Sequence, residues 1–296
     1  MAVQEHNPTV FHETYSQSLE LSVNPLSKYY DESHDKAESF AWAGRPWVKA
    51  FGGQQQDPEP LLLQESGYTV LSYNVFADCK CSNVRYTMSK KWEKRASTLI
   101  REIASYNADI LCLQDVDHFK DFWRAQLMLI GYDSVYKKRT QKLDAHYEGV
   151  LVAYKRDKLQ LFKSVALDLN KAKKFCNSSE MGSAFKERLL TDDVALICLL
   201  QPWGERVNKP PKTQEELEWS GDESDESEEE ERNKGQHAVL VCSAQLSSRQ
   251  SDTNVRYYQA QYVCKQIEMA NKEFQLPVLC GVSLFDSPIS PAYHVF

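Results

Sequence analysis

The sequence predicts an α/β protein in which helices pack outside stacked mixed β-sheets. Two patterns carry that prediction. Short runs rich in β-branched and aromatic residues recur from Tyr68 to Cys280, separated partly by amphipathic helical segments and partly by hairpin-like turns. These runs fall into two halves, and 42% hydrophobic content over 296 residues is enough for one large core or two smaller ones.

Residues 1 to about 60 are rich in Ser, Glu, Gln, Asn and His without a sustained period, and are expected to form a flexible extension. Its exception is Trp42-Ala-Gly-Arg-Pro-Trp47-Val-Lys-Ala-Phe51. Two tryptophans and a Phe are costly to leave in water, so this piece is expected to dock on the main domain or on a protein partner.

Order is expected to begin with a strand in Tyr68–Ala77, with Asn74 at its end. Ser89 can cap the next helix, in which Trp92, Ala96, Leu99, Ile100 and Ile103 recur on one face. Asn107 suits that helix's C-terminus, and a strand follows at Ile110-Leu-Cys-Leu-Gln-Asp-Val-Asp117. Four mostly apolar residues breaking into acids resemble a buried strand that ends at a site's rim, where Asp115 could be a hard-metal ligand or a polar strand end. A helix is expected over Phe119–Leu129, stopped by Gly131, then extended structure over Tyr132–Tyr136. Lys137-Lys-Arg-Thr-Gln-Lys142 reads as a basic loop, either a solvated turn or, beside a metal site, a phosphate contact.

Val150–Tyr154, Val194–Leu200 and Ala238–Cys242 have the composition of interior strands. Asp252-Thr-Asn254 can cap a helix with Val255, Tyr258, Tyr262, Val263 and Ile267 on one face, and Pro277–Cys280 reads as a strand ended by Gly281.

The net charge of −7 is concentrated. Eleven acids and no base lie between Glu215 and Glu231, leaving 31 acids against 35 bases elsewhere. The mildly basic remainder is compatible with a nucleic-acid ligand. A disordered acidic insertion is expected at about 205–236, with Ser224 and Ser227 placed for an acid-directed kinase. The eight cysteines mostly lie singly in apolar runs and are expected to be reduced thiols; Cys79-Lys-Cys81 lacks the second pair that a zinc site needs. No apolar run of 18 residues and no signal-peptide pattern occur, so an intracellular protein without a membrane anchor is expected.

Six segments, in order, resemble one superfamily. Leu71-Ser-Tyr-Asn-Val-Phe-Ala-Asp78, Ala108–Asp115, Gly131–Thr140, Glu148–Lys155, Arg188–Ala195 and Pro277–Gly281 are similar to the exonuclease, endonuclease and phosphatase superfamily, and more narrowly to its deadenylase branch. That resemblance runs from about Tyr68 to Tyr293, within an expected domain at 68–296 that is interrupted by the acidic insertion. It implies a four-layer sandwich of two mixed sheets flanked by helices, Mg2+ as cofactor, and RNA with poly(A)-like 3′ ends as substrate, in the cytoplasm or nucleus.

By position in the motifs, the resemblance implies metal contacts at Asn74 and Asp115, with Asp193 and Gln245 completing the catalytic set. It implies substrate contacts at Lys138, Arg139, Glu148 and Arg249. Several positions depart from the pattern. Asp115 stands for a Glu, Glu148 for an Asp, Asp193 for an Asn, and Gln245 for a histidine that contacts phosphate. Gln245 can donate a hydrogen bond but carries no proton at neutral pH. Val282 and Leu284 replace an acid and an amide that orient water, and Asp286 is displaced. The family's last strands and their Ser-Asp-His segment do not occur in these 296 residues, and none of the seven histidines matches a catalytic one. Three expectations follow: a Mg2+-dependent 3′-exoribonuclease, an inactive relative that binds RNA or a protein, or a fragment or isoform of a longer active nuclease.

Overall fold

The computed structural model describes residues 67–81, 92–139, 148–175, 182–204 and 237–296. The expected extension and its tryptophan-rich piece, Ser89, Lys142 and the acidic insertion lie outside them.

Among the described residues, eight strands make two four-stranded sheets. In the first, β1 (Val70–Asn74), β2 (Ile110–Val116), β3 (Tyr132–Lys138) and β4 (Gly149–Lys155) lie in the order β1-β2-β4-β3. In the second, β5 (Leu159–Asp168), β6 (Val194–Pro202), β7 (Val239–Gln245) and β8 (Val278–Ser283) lie in the order β5-β6-β7-β8. Each sheet has one parallel pair, β1 with β2 and β7 with β8, and its other pairs are antiparallel. Parallel neighbours need a crossover. A short α1 (Asp78–Cys81) and the long α2 (Trp92–Tyr106) lie between β1 and β2. After β2, a π-helical turn (Phe119–Trp123) runs into α3 (Arg124–Leu129), and α4 (Ser183–Arg188) precedes β6. The crossover from β7 to β8 is α5 (Thr253–Asn271).

Side-chain alternation sorts the core into layers. Leu111, Leu113 and Val116 of β2 meet Ala96, Leu99, Ile100 and Ile103 of α2 and Phe122, Trp123 and Leu127 beyond. Ile110 and Cys112 point the other way, into an inter-sheet core with Val150, Val152, Leu196, Cys198, Val239 and Val241. On the far side, Ile197, Leu199, Leu240 and Ala244 meet Ala260, Tyr262, Val263 and Ile267 of α5. Helix, sheet, sheet and helix are therefore stacked, as the sequence predicts. Each fully buried Leu or Ile in these layers contributes about 1.5–3 kcal/mol.

The elements differ from expectation in five places. Lys137 and Lys138 are not in a loop: they pair with Val150 and Gly149 at the end of β3. Gly281 does not end β8 but lies inside it, paired with Ser243. The helix expected from Phe119 opens as a π turn, with the N–H groups of Phe122 and Trp123 both donating to the His118 carbonyl. Asp252 stands at the N-cap position of α5, but its carboxylate accepts from Ser247 and Arg188 and makes no cap bond. Strand β5 has no counterpart in the sequence reading. A register shift between Leu161 and Lys163 breaks its alternation and leaves Phe162 half exposed against Phe274.

Candidate phosphodiester site

The ends of six strands converge. Asn74 ends β1, Gln245 ends β7 and Ser283 ends β8, while Glu148 precedes β4 and Asp193 precedes β6. Antiparallel pairing brings these starts and ends to one rim. Asp115 reaches the rim through a bulge: the register shifts between Gln114 and Val116, and Asp115 takes a left-handed φ of 59°. Asp tolerates that conformation better than bulky residues do.

Sequence reasoning missed the residue at the centre. Lys80 of α1 places its ammonium 2.5 Å from Asp115 Oδ1 and 3.0 Å from Glu148 Oε1. Gln245 Nε2 donates to the same Asp115 oxygen at 2.6 Å, and the Asp115 N–H donates back to Gln245 Oε1 at 2.9 Å. Behind them Arg139 forks between Glu148 Oε1 at 2.7 Å and Asp193 Oδ1 at 2.6 Å, and also donates to the Thr191 carbonyl. Gln259 Nε2 donates to the other Asp193 oxygen at 3.0 Å. The rim is thus a ladder of alternating charge, with Asp115, Glu148 and Asp193 all buried.

Burial alone would lower the Lys80 pKa, but Asp115 and then Glu148 hold the ammonium above its ordinary value. Burial pushes Asp193 up against the opposing pull of Arg139. For Glu148, burial is offset by Lys80 and Arg139, which keep the carboxyl below its usual range. Stability from a depressed carboxyl is fully present above its unfolded value of about 4.3 and lost as pH falls through the lower folded value. Glu148→Gln should therefore flatten the acid limb of the stability curve. An unaltered limb in denaturant titrations between about pH 3 and pH 7 would show that Lys80 and Arg139 do not hold Glu148 ionised.

A cavity of 460 Å³ opens at this rim, lined by Asn74, Phe76, Lys80, Asp115, Ser248, Ser283 and Phe285. Asn74 and Ser283 join the two sheets, Nδ2 donating to Oγ at 3.0 Å. Each phenylalanine sits two residues beyond one of them, and both have left-handed backbone, at φ 54° and 52°. Such conformations are uncommon for bulky residues and cluster at functional sites. Behind the cavity, the Gln114 amide donates to the carbonyls of Cys112 and Gly281 and to Ser243 Oγ, fixing the spacing of the two sheets.

Of the expected site residues, the structure brings Asn74, Asp115, Glu148, Asp193, Gln245 and Arg139 together. Arg139 is not a free phosphate contact; its guanidinium is committed to Glu148 and Asp193. Glu148 faces Lys80 and Arg139. Lys138 and Arg249 are exposed outside the cavity's lining. Asp286 is paired with Arg256 at 2.9 Å. Lys80, Ser248, Ser283 and Phe285 were not singled out. The available hint for Lys80 was a lone base six residues beyond a strand-end Asn.

The donor set does not fit Mg2+. That ion is held by one or two carboxylates and completes its shell with water, and here an ammonium stands between the two carboxylates while Asn74 Oδ1 accepts from the Phe76 N–H. Among the described residues, no three of His, Cys, Asp and Glu are arranged to hold a metal. At the pair that the resemblance implies, Asp115 Oδ1 is bonded to Lys80 and Gln245, and Asn74 Oδ1 to the Phe76 N–H.

No family profile matches the chain. It is similar to carbon catabolite repressor protein 4 homolog 2 of Arabidopsis thaliana, at 25% identity over 240 residues that cover 76% of this chain and 36% of that protein. It is also similar to the CCR4-Not complex 3′-5′-exoribonuclease subunit Ccr4 of Yarrowia lipolytica, at 32% identity over 149 residues, 45% of this chain and 21% of the other. In both cases the chain spans well under half of the relative's length. The human nocturnin catalytic domain superposes with a TM-score of 0.54 at 17% identity, over 78% of this chain and 69% of that one.

This two-sheet sandwich has the fold of the human nocturnin catalytic domain and of an endonuclease/exonuclease/phosphatase protein from Bacteroides vulgatus. Its sequence relatives include Ccr4-type proteins, one of them named a 3′-5′-exoribonuclease subunit. No helix among the described residues is long and apolar enough to cross a membrane.

Proposed function

We propose that this chain is a catalytically silent member of the deadenylase branch that keeps the phosphodiester cavity as a binding site for RNA 3′ ends. One observation carries the reading: Asp115 Oδ1, the acid at the centre of the rim, is closed by both Lys80 and Gln245. A carboxylate held so cannot activate water, and Glu148, Asp193 and Asp286 are each committed to an arginine or lysine as well.

The cavity still suits a nucleotide. Lys80 neutralises acids that would otherwise repel phosphate, Ser248 and Ser283 offer hydroxyls, and Phe76 and Phe285 offer rings for base stacking. A cytoplasmic or nuclear setting accords with this reading. A second reading, an active 3′-exoribonuclease, is favoured by the relatives' names.

One assay separates the two. A 5′-labelled RNA ending in adenosines is incubated with the chain in Mg2+ or in chelator, with Asp115→Ala alongside. The expected result is no shortening, with a mobility shift that persists in chelator and weakens with salt. A Mg2+-dependent ladder of shortened products, absent from Asp115→Ala, would overturn the proposal.

A further inference from the structure

We infer that the Lys80 ammonium is the resident cation of this cavity, holding Asp115 and Glu148 in the place of a divalent metal and making phosphate binding independent of one. The inference shares the phosphate-binding cavity with the reading above, but it concerns the cation and is tested without RNA.

Three features support it. The first is shared geometry: one ammonium reaches Asp115 at 2.5 Å and Glu148 at 3.0 Å, so the two acids are close enough to share a single cation. The second is that Lys80 is delivered by a fastened segment and not by a free surface loop. Its N–H donates to the Ala77 carbonyl, the Cys79 N–H donates to Asp117 Oδ2 at 3.0 Å, and Arg95 ties Cys81 and the Phe76 carbonyl to α2. Such fastening lowers the entropy lost in holding a long flexible side chain in one place.

The third feature is capacity. An ammonium has three donors; two are taken by the acids, and one is left for a ligand of the cavity that Lys80 lines. A phosphate oxygen would then meet a point charge already in position, with Ser248 and Ser283 beside it. A divalent ion is excluded by charge, because it would have to displace the ammonium from both carboxylates. Removal of the ammonium should hand the same two acids to a hard cation, which takes carboxylate oxygens and completes its shell with water.

The test is titration of the full chain with Mn2+, following free Mn2+ by electron paramagnetic resonance, with no nucleic acid present. Wild type and Lys80→Arg should show no binding that depends on Asp115. Lys80→Gln and Lys80→Ala should gain one site, with affinity raised by at least about tenfold, and adding Asp115→Asn to Lys80→Gln should abolish it. The glutamine variant keeps a polar group beside the acids, so it remains informative if the alanine variant fails to fold. Wild-type Mn2+ binding that Asp115→Asn removes would overturn the inference, as would folded Lys80→Gln protein that gains no site. If neither Lys80 variant folds, the wild-type and Asp115→Asn titrations decide alone. RNA binding that fails while these titrations succeed would sink the RNA reading and leave the cation assignment standing.

Discussion

Arg139→Ala is expected to lower the free energy of unfolding by about 3–5 kcal/mol, the range for removing one partner of a buried ion pair. The guanidinium serves two buried acids at once, Glu148 and Asp193, and bonds the Thr191 carbonyl besides. Deleting it leaves both carboxylates short of their counter-charge, although Lys80 still reaches Glu148 and Gln259 still donates to Asp193. Arg139→Lys should fall between, since a point charge cannot fork to two acids as a planar guanidinium does. Urea unfolding at neutral pH measures the difference. A loss below about 1 kcal/mol, typical of exposed pairs, would mean that Arg139 is solvated and free to meet a ligand.

Gly281→Ala should cost about 3 kcal/mol, toward the upper part of the usual range for overpacking a close-packed interior. A Cβ at this position would lie 2.3 Å from Cys112 Cβ and 2.9 Å from Ser72 Oγ, both in the facing sheet. Neither neighbour can turn aside easily, because the nearer contact is a Cβ fixed to the backbone of β2. The two sheets would have to separate, loosening the Gln114 amide from the Gly281 carbonyl. Pairing Gly281→Ala with Cys112→Gly should recover part of the loss, giving a coupling between the two positions in a double-mutant cycle. Strict additivity of the two changes in thermal or urea unfolding would refute a direct clash.

Local pattern was sufficient for much of the fold. Leu111, Leu113 and Val116 alternate with Ile110 and Cys112, which marks a strand buried on both sides, and both sets are fully buried. Asn107 takes the left-handed conformation expected after a helix, with φ 48°. Strand β5 escaped because a bulge interrupts the period on which such readings depend, and Gly281 was misread because its role is to admit the Cys112 and Ser72 side chains of the other sheet, which no local pattern records.

For the site, the resemblance to the superfamily brought out Asn74, Asp115, Glu148, Asp193 and Gln245, and the structure sets all five at one rim. What each does there was decided only by tertiary structure. Arg139 in sequence belongs to a basic run, yet folding sets it, half-buried, between two acids. Lys80 lies between two cysteines with no carboxylate beside it in the chain, and Asp115 and Glu148 come to it across 35 and 68 residues. The sequence by itself determined most of the strands, β5 excepted, because period and composition are local properties. Charge pairing depends on distances of a few ångströms between remote residues, and only the packed sheets set those distances.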